Sequence, residues 1–508
     1  MLRVEMAGPL PTNRASFTLA EVLAATGGQL EREGIAERRT GLGAGPAGIG
    51  SSCVGVSTDT RSLGCGQAFI ALTGPRFDGH DHLETAARAG ASILLVSREA
   101  NVLPGPAIVR VAHGVRALGD LARAHRRRWA RARSARGPRL VIAITGSAGK
   151  TTTRRVTTAL LEAAGLSVHC TAANLNNQIG VPLTLLGLGD SHDVAVVEIG
   201  TNATGEIAAG AAVAEPDVGV LTLVADAHGE GLGSAWAIAV EKGDLLAALP
   251  PSGIAIANGD DARATAQLLR SPAATWITYG EEPSCDVALV ARQIRGAQGQ
   301  HISLRILGRH PVVRPLLEVE VALLGKAGVS AVLAAAAIVD AVSPSGCPTS
   351  DVASRALSDP AIREPGRMSP SVIEGSVILI DDAYNANPAS MIASIEAARE
   401  VARAEGRGLV LILGEMYELG KDAEALHDQV GRAAALARPR ELIAVKGAAA
   451  RYHESAKRYA VGGVFAADAE AAIGEARQRI HAGDVVLVKG SNGVGLTKLA
   501  AALRGGAS

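Results

Sequence analysis

The stretch Val141-Ile-Ala-Ile-Thr-Gly-Ser-Ala-Gly-Lys-Thr-Thr-Thr153 has the residue types and spacing to hold a phosphate. Leu140 to Ile144 is an apolar run of the length of a buried strand. Gly146, Ser147, Ala148 and Gly149 can turn the chain sharply. Lys150 then opens a helix, with Thr151, Thr152 and Thr153 in its first turn and Val156, Leu160 and Leu161 on its apolar side. A strand, a glycine-rich turn and a helix start bring N–H groups and the positive end of the helix dipole to one point, which is an anion site. There Lys150 reaches the β- and γ-phosphates of a nucleotide and Thr151 offers its hydroxyl to Mg2+. The strict G-x-x-x-x-G-K-[ST] pattern is not met, because Ile144 stands at its first glycine. An ordinary strand–helix turn with a chance Gly-Lys is the alternative, but it leaves the coincidence of all three elements unexplained.

Other polar residues sit at the ends of apolar runs. Glu198 falls at the end of Ala195–Ile199, and Asp226-Ala-His228 follows the run Gly219–Val224. Ala235 to Leu249 reads as a helix carrying Glu241 and Lys242, and Ile254 to Asn258 as a strand leading into Gly-Asp-Asp261. In an open α/β sheet ligands bind outside the carboxyl ends of the strands. The glycine turn, Glu198 and His228 are therefore expected to converge on one site. A carboxylate, an imidazole and a hydroxyl around a nucleotide are reasonable Mg2+ ligands. Taken singly, a histidine near a strand end or a lysine on an amphipathic helix is more often structural.

The elements that must position these residues follow from length and pattern. At 508 residues the chain is about three domains long, at ~100–200 residues each. The fold class predicted is α/β in three domains. Residues 1–112 form a small N-terminal α/β domain. Residues 113–360 form a central P-loop domain with a doubly wound, mostly parallel sheet, and residues 361–508 a C-terminal Rossmann-like domain. In the first, Thr18–Ala25 and Leu83–Ala89 read as helices, and Gly55–Arg61, Ala68–Leu72, Ile93–Val96 and Ala107–Val111 as strands. Glu31–Ser52 reads as a loop. In the last, strands are expected at Val377–Ile380, Leu409–Leu413, Leu442–Val445 and Val485–Val488, each followed by a polar, glycine-rich end.

Composition narrows the classes. Fifty basic residues balance fifty acidic ones, so no global charge selects nucleic acid or a membrane surface. With only 2% aromatic residues, the cores must be built of Ala, Val, Leu and Ile. The five cysteines are scattered, with no C-x-x-C pair to suggest a disulfide framework or zinc site. No signal peptide and no apolar run of about 18 residues is read, so a cytoplasmic protein without stable membrane insertion is expected. Residues 115–136 are dense in arginine. With a single aromatic residue, Trp129, among them, this reads as a solvated helix face rather than a nucleic-acid surface.

Together these motifs resemble the Mur ligase family. Thr145-Gly-Ser-Ala-Gly-Lys-Thr151 is the family form of the phosphate loop, which explains the failure of the strict pattern. Ser57-Thr-Asp-Thr-Arg61 with Asp78-Gly-His-Asp81 resembles a uridine-binding first domain, and Asn174-Leu-Asn-Asn177 with Ile179-Gly-Val-Pro182 the segment after the phosphate-loop helix. Glu198-Ile-Gly-Thr-Asn202 with Gly205-Glu-Ile207 resembles the metal-binding strand end. Asp382-Ala-Tyr-Asn-Ala-Asn-Pro388 is similar to the branch that adds D-alanyl-D-alanine to a UDP-N-acetylmuramoyl-tripeptide. Gly366-Arg367 and Glu418-Leu-Gly420 with His427 complete the likeness.

The resemblance implies an ATP-dependent ligase that works through an acyl phosphate in peptidoglycan precursor synthesis. Its partners would be the two small-molecule substrates, with no nucleic acid, and the chain a monomer. Lys150, His228 and Lys242 would be catalytic. Gly146 to Thr152, Arg367, Asp382 and Asn385 would bind ATP, with Asp382 on the ribose and Arg367 on the phosphates. Ser57, Thr58, Asp59, Arg61, Gly79, His80 and Asn177 would bind the UDP substrate. One Mg2+ would rest on Thr151 and Glu198, and a second on His228 and a Lys242 carbamylated by CO2. A related ligase with a different acceptor and a non-catalytic Mur-like binding protein are the competing readings. The chain departs from the family at Gly325-Lys-Ala-Gly-Val-Ser-Ala331, where Ala327, Gly328 and Ala331 replace a histidine and two asparagines. Each lost hydrogen bond to adenine would cost about 0.5–1.5 kcal/mol. Asn492 likewise replaces an arginine.

Overall fold

Two compact units account for the packing of the chain in the computed structural model. It describes residues 12–34, 52–75, 77–100, 102, 104–132, 134, 136–225, 234–307 and 316–505. The first unit comprises Met1–Ala143, Leu166–Thr201 and Gly205–Asp217; the second comprises Ile144–Gly165, Asn202–Thr204 and Val218–Ser508.

In the first unit a capping box at Thr18 and Glu21 starts the helix Leu19–Thr26. A five-stranded sheet follows in the order Gln29–Arg32, Ala107–Arg110, Ile93–Val96, Ala68–Ile70, Val56–Ser57. All its pairings are parallel except that of the first edge strand. Glu31 and Arg32, expected in a loop, thus belong to a strand. The expected strand Gly55–Arg61 shortens to Val56–Ser57. Beyond it the Ser57 hydroxyl accepts from the Asp59 N–H at 3.1 Å, and the Asp59 carboxylate accepts from the Arg61 N–H at 3.0 Å. These local bonds replace the sheet ladder. On the other side Asn13 acts as a one-residue strand, donating to the Val56 carbonyl at 2.8 Å and accepting from its N–H at 3.0 Å.

The arginine-rich helix runs from Gly114 to Arg131 rather than to Arg136. Most of its arginines, Arg116, Arg127, Arg128 and Arg131 among them, are exposed as expected of a solvated face, but one is not. Arg126 is buried and donates to the Ala214 carbonyl at 3.1 Å, to the Glu215 carbonyl at 2.5 Å and to Asp217 at 2.9 Å. It thereby satisfies the carboxyl end of the helix Glu206–Ala214. Arg127 pairs with Glu215, and Arg128 bonds the Ser16 carbonyl and lies 5.2 Å over the Phe17 ring. Arg126 thus ties this helix to the end of the other.

In the second unit Val218–Leu221, Ile254–Asn258, Thr275–Gly280 and Val287–Ile294 pair in parallel. The expected alternation with helices then stops. Gln300–Ile306 and Leu317–Val321 continue the sheet antiparallel, the first through the tight turn at 296–299. Ile302 and Leu304 point inward at a period of two, the pattern of a meander rather than of a strand–helix–strand unit. Gly325–Val342 is, among the described residues, the one helix with the length and apolarity of a membrane span, against the expectation that no such run exists. Its window is 72% buried within the protein, where its small Ala side chains allow close packing on several sides. It is a core helix.

The carboxyl-terminal sheet has the order Ser369–Ile373, Val377–Asp382, Val485–Lys489, Leu409–Gly414, Glu441–Val445, Gly463–Ala466. Only its first strand is antiparallel, so the other five share one carboxyl edge. One apolar core covers each face.

Candidate functional site

The turn from Thr145 to Lys150 is held by the segment after the strand Val218–Leu221. The Ser147 N–H donates to the Leu223 carbonyl at 2.7 Å, and the Ser147 hydroxyl bonds the Ala225 carbonyl and N–H at 3.1 Å each. The Thr222 hydroxyl donates to the Ala148 carbonyl at 2.6 Å. Gly146 adopts φ 152°, and a Cβ there would stand 2.0 Å from the Thr222 hydroxyl oxygen, so no other residue fits. The helix Lys150–Ala163 begins directly after this turn, and Lys150 folds back so that its Nζ donates to the Gly146 carbonyl at 2.7 Å. The expected strand, glycine turn and helix start therefore form one cradle with the lysine over it.

Lys242 lies on the helix Ala235–Ala247, which the Ser234 hydroxyl caps. It is 1% exposed. Burial, and next the charge of Lys150, lower its pKa from 10.5 to about 7, against a smaller opposing effect of Glu241. At neutral pH a large fraction of Lys242 is the uncharged amine. His228 lies outside the described residues. Among those described, no group of three His, Cys, Asp or Glu side chains assembles a ready cation cage.

In the other unit Glu198 ends the strand Val194–Glu198 and is 2% exposed. Its carboxylate accepts from the Asn176 amide at 2.8 Å, and its N–H donates to the Thr171 hydroxyl at 2.9 Å. Asn177 serves locally: its side-chain oxygen accepts from the N–H groups of Ile179 and Gly180 at 3.0 and 2.9 Å, starting the helix Gly180–Leu186. Ser57 shapes the turn at Asp59, and Thr58 is half-buried between them. Arg61 forks onto Asp59 at 2.6 and 2.9 Å and lowers its pKa, while its own side chain is largely exposed. His80 follows Gly79 in a short turn. Its Nδ1 contacts Asp78 at 2.6 Å and its Nε2 accepts from the Ser97 N–H at 3.0 Å.

The carboxyl-terminal residues divide into two groups. Arg367 stacks its guanidinium 4.1 Å over the Tyr384 ring, and the Asn385 side chain is exposed. Asn387 caps the helix Pro388–Glu405, and its amide reaches the Ser147 carbonyl of the glycine turn at 3.5 Å. Asp382, by contrast, is buried and engaged. It accepts from Lys489 Nζ and the Ser394 hydroxyl at 2.6 Å each and from the Met368 N–H at 3.1 Å. His427 is fully buried with both nitrogens used, one on the Ala423 carbonyl at 2.6 Å and one by the Met416 N–H at 3.1 Å; burial lowers its pKa.

Sequence reasoning did not single out Asn176, Thr222, Ser394 or Lys489. Only Asn176 and Lys489 carried a signal, the first as neighbour of Asn177 and the second at a strand end before Gly-Ser. The departure at Gly328 also gains a reason. A Cβ on Gly328 would meet the Leu323 Cβ at 2.8 Å, and Gln300 donates to the Leu323 and Gly325 carbonyls at 3.0 Å each. Close packing has closed the place where a longer side chain would stand.

Three family models match in succession: the Mur ligase family catalytic domain at residues 53–126, the Mur ligase middle domain at 144–339 and the Mur ligase glutamate ligase domain at 366–492. The UDP-N-acetylmuramoyl-tripeptide--D-alanyl-D-alanine ligase of Escherichia coli is 34% identical, over 88% of this chain and 93% of its own. A crystal structure of MurF from Acinetobacter baumannii superposes with a TM-score of 0.81 at 26% identity, covering 98% of this chain and 100% of that one. MurF from Thermotoga maritima, crystallised in complex with ADP, does so with a TM-score of 0.73 at 24% identity, over 87% and 95%. The fold is the three-domain α/β fold of these ligases, with mixed sheets. On the extent of this identity, the chain belongs to the Mur ligase family.

Proposed function

We propose that the protein is an ATP-dependent ligase that joins D-alanyl-D-alanine to UDP-N-acetylmuramoyl-tripeptide, releasing ADP and phosphate, in peptidoglycan precursor synthesis. One observation carries the reading: a complete glycine cradle with Lys150 over it, in a chain 34% identical along 88% of its length to an enzyme of that name.

The chemistry needs a carboxylate made electrophilic and an amine brought to it. ATP phosphorylates the terminal carboxylate of the tripeptide. The dipeptide amine attacks the acyl phosphate, and the tetrahedral intermediate expels phosphate. Lys150 neutralises the transferring group, and the turn from Gly146 to Thr152 orients it. Arg367 would add a second positive charge from the carboxyl-terminal sheet, and Asn385 and Asp382 would meet the nucleoside. Asp382 must first exchange Lys489 or Ser394 for the ribose. In the first unit Ser57, Thr58, Asp59, Arg61, Gly79, His80 and Asn177 would line the UDP site.

Two Mg2+ ions, when bound, supply charge neutralisation around the phosphoryl group. By donor chemistry, Thr151 and Glu198 would offer oxygen to one ion, and His228 and Lys242 would hold the other. An ammonium is no Mg2+ ligand, whereas the neutral amine of Lys242 can add CO2, lose a proton and present a carbamate oxygen. The same reading assigns domains at 1–112, 113–360 and 361–508, and a monomer in the cytoplasm acting on small-molecule substrates.

The test is phosphate release by the purified protein with ATP and Mg2+, adding the UDP-muramoyl-tripeptide and D-alanyl-D-alanine singly and together. Release that requires both supports the ligase. Release independent of either, or none from folded protein, overturns it.

A further inference from the structure

Tyr279 lies on the strand Thr275–Gly280 and is 0% exposed, among the largest side chains of the molecule to be so enclosed. A phenylalanine would fill the same space. A phenol there must spend its hydroxyl on a partner or lose the hydrogen bond it made to water. The hydroxyl donates to the Thr222 carbonyl at 3.2 Å. Burial pushes its pKa well up, against a smaller opposing effect of the Ser330 side chain, so the group stays a donor.

Thr222 is where that bond is put to use. It stands one residue past the strand Val218–Leu221 and is 4% exposed. Its N–H donates to the Thr145 carbonyl at 2.9 Å and its hydroxyl to the Ala148 carbonyl at 2.6 Å, so both hold the glycine turn. The Ala148 carbonyl and the Gly149 N–H share one trans peptide plane and point opposite ways. Anchoring the carbonyl on Thr222 therefore aims the Gly149 N–H away from Thr222, and N–H groups of such a turn make the anion site. Asp261 steadies the same segment two residues on, accepting from the Val224 N–H at 2.6 Å. There is little slack between Thr222 and the turn. A Cβ on Gly146 would stand 2.0 Å from the Thr222 hydroxyl oxygen, so a displaced Thr222 displaces the turn with it.

We propose that Tyr279 is a positioning residue of the phosphate site: its hydroxyl holds Thr222, and Thr222 sets the Ala148–Gly149 peptide for the nucleotide phosphates. The inference rests on the nucleotide half of the ligase reading. Tyr279 acts through Thr222 and not on the nucleotide itself. Its effect is selective, because the phenol supports the glycine turn and no residue assigned to the UDP substrate.

The experiment is calorimetric titration of the full-length protein with ADP in the presence of Mg2+, with steady-state ADP release and urea unfolding alongside. Tyr279→Phe keeps the ring and removes only the donor. It is expected to raise the Kd for ADP and the KM for ATP about 10-fold, leaving the KM values for the UDP substrate and the dipeptide unmoved. Placing 4-aminophenylalanine at position 279 returns a donor and should restore most of the affinity. Thr222→Val should weaken ADP binding by itself, and adding Tyr279→Phe to it should change the Kd by less than about 2-fold further. A lower unfolding midpoint in Tyr279→Phe with unchanged ADP affinity marks a merely structural phenol and overturns the proposal. Losses that add in the double variant overturn it too, since Tyr279 would not then act through Thr222. If the unmodified protein binds ADP but ligates nothing, the ligase reading falls and the ADP titrations still decide this inference. If it binds no ADP, both fall.

Discussion

The side-chain amide of Asn176 donates to the buried carboxylate of Glu198 at 2.8 Å, across 22 residues of sequence. The bond orients a carboxylate that ends a strand. A ligand to a metal is tuned by such a partner. Asn176→Ala is expected to raise the Mg2+ concentration for half-maximal activity by about 10-fold or more. The loss of one bond to a buried acid would cost about 1–3 kcal/mol of stability. A Mg2+ titration of ADP release, with thermal unfolding alongside, separates the two effects. An unchanged Mg2+ requirement would count against Glu198 as a metal ligand.

Lys242 makes stability depend on pH with a definite sign. Its pKa is about 7 when folded against 10.5 for a free lysine, so between those values the unfolded chain holds the extra proton. This residue therefore makes the protein more stable as pH rises from about 7 towards 10.5, by up to about 1.4 kcal/mol per pH unit. Below pH 7 its contribution is level. Lys242→Met should flatten that part of the curve and abolish ligation. Urea unfolding at pH 7, 8 and 9 for both proteins would measure the difference in slope, and identical slopes would refute the buried, depressed lysine.

Lys489 and Asp382 form a buried pair at 2.6 Å, with Lys489 itself 2% exposed. Removing one partner strands the other charge, so Lys489→Met is expected to destabilise by about 3–5 kcal/mol. Adding Asp382→Asn should return part of that loss. A denaturant double-mutant cycle reads the coupling; additive losses would mean that the pair is not a unit. Because Lys489 also bonds the Asn385 carbonyl at 3.1 Å, the single variant should also raise KM for ATP.

Gly328 predicts a failed reversion. Restoring an asparagine by Gly328→Asn should not improve ATP use, because its Cβ would press on Leu323 at 2.8 Å. Overpacking of this kind costs about 1–3 kcal/mol. The ratio of kcat/KM for ATP and GTP, measured with the unfolding midpoint, checks this. A stable variant with sharper ATP preference would show that the space is available.

The sequence alone determined the local features. An apolar run, four small residues and a Gly-Lys-Thr define the phosphate cradle, because a strand, a left-handed turn and a helix start depend on neighbours along the chain. The parallel strands at 93–96 and 254–258 were readable to the residue, since their buried faces leave nearly continuous apolar runs. Other features depend on distance in space. The antiparallel strands 300–306 and 317–321 resembled further α/β alternation until their pairing decided otherwise. Arg126 reads as a surface charge along the helix, yet the end of another helix 88 residues on buries it. His80 and Asn177 carry motif-like signals, and only their partners show that each is also holding its own loop together. Lys242 illustrates the division most simply. Its place on an amphipathic helix follows from the sequence, but its near-neutral pKa follows from desolvation and from Lys150, 92 positions earlier. Burial and the approach of a like charge are properties of a packed interior, and no local pattern encodes them.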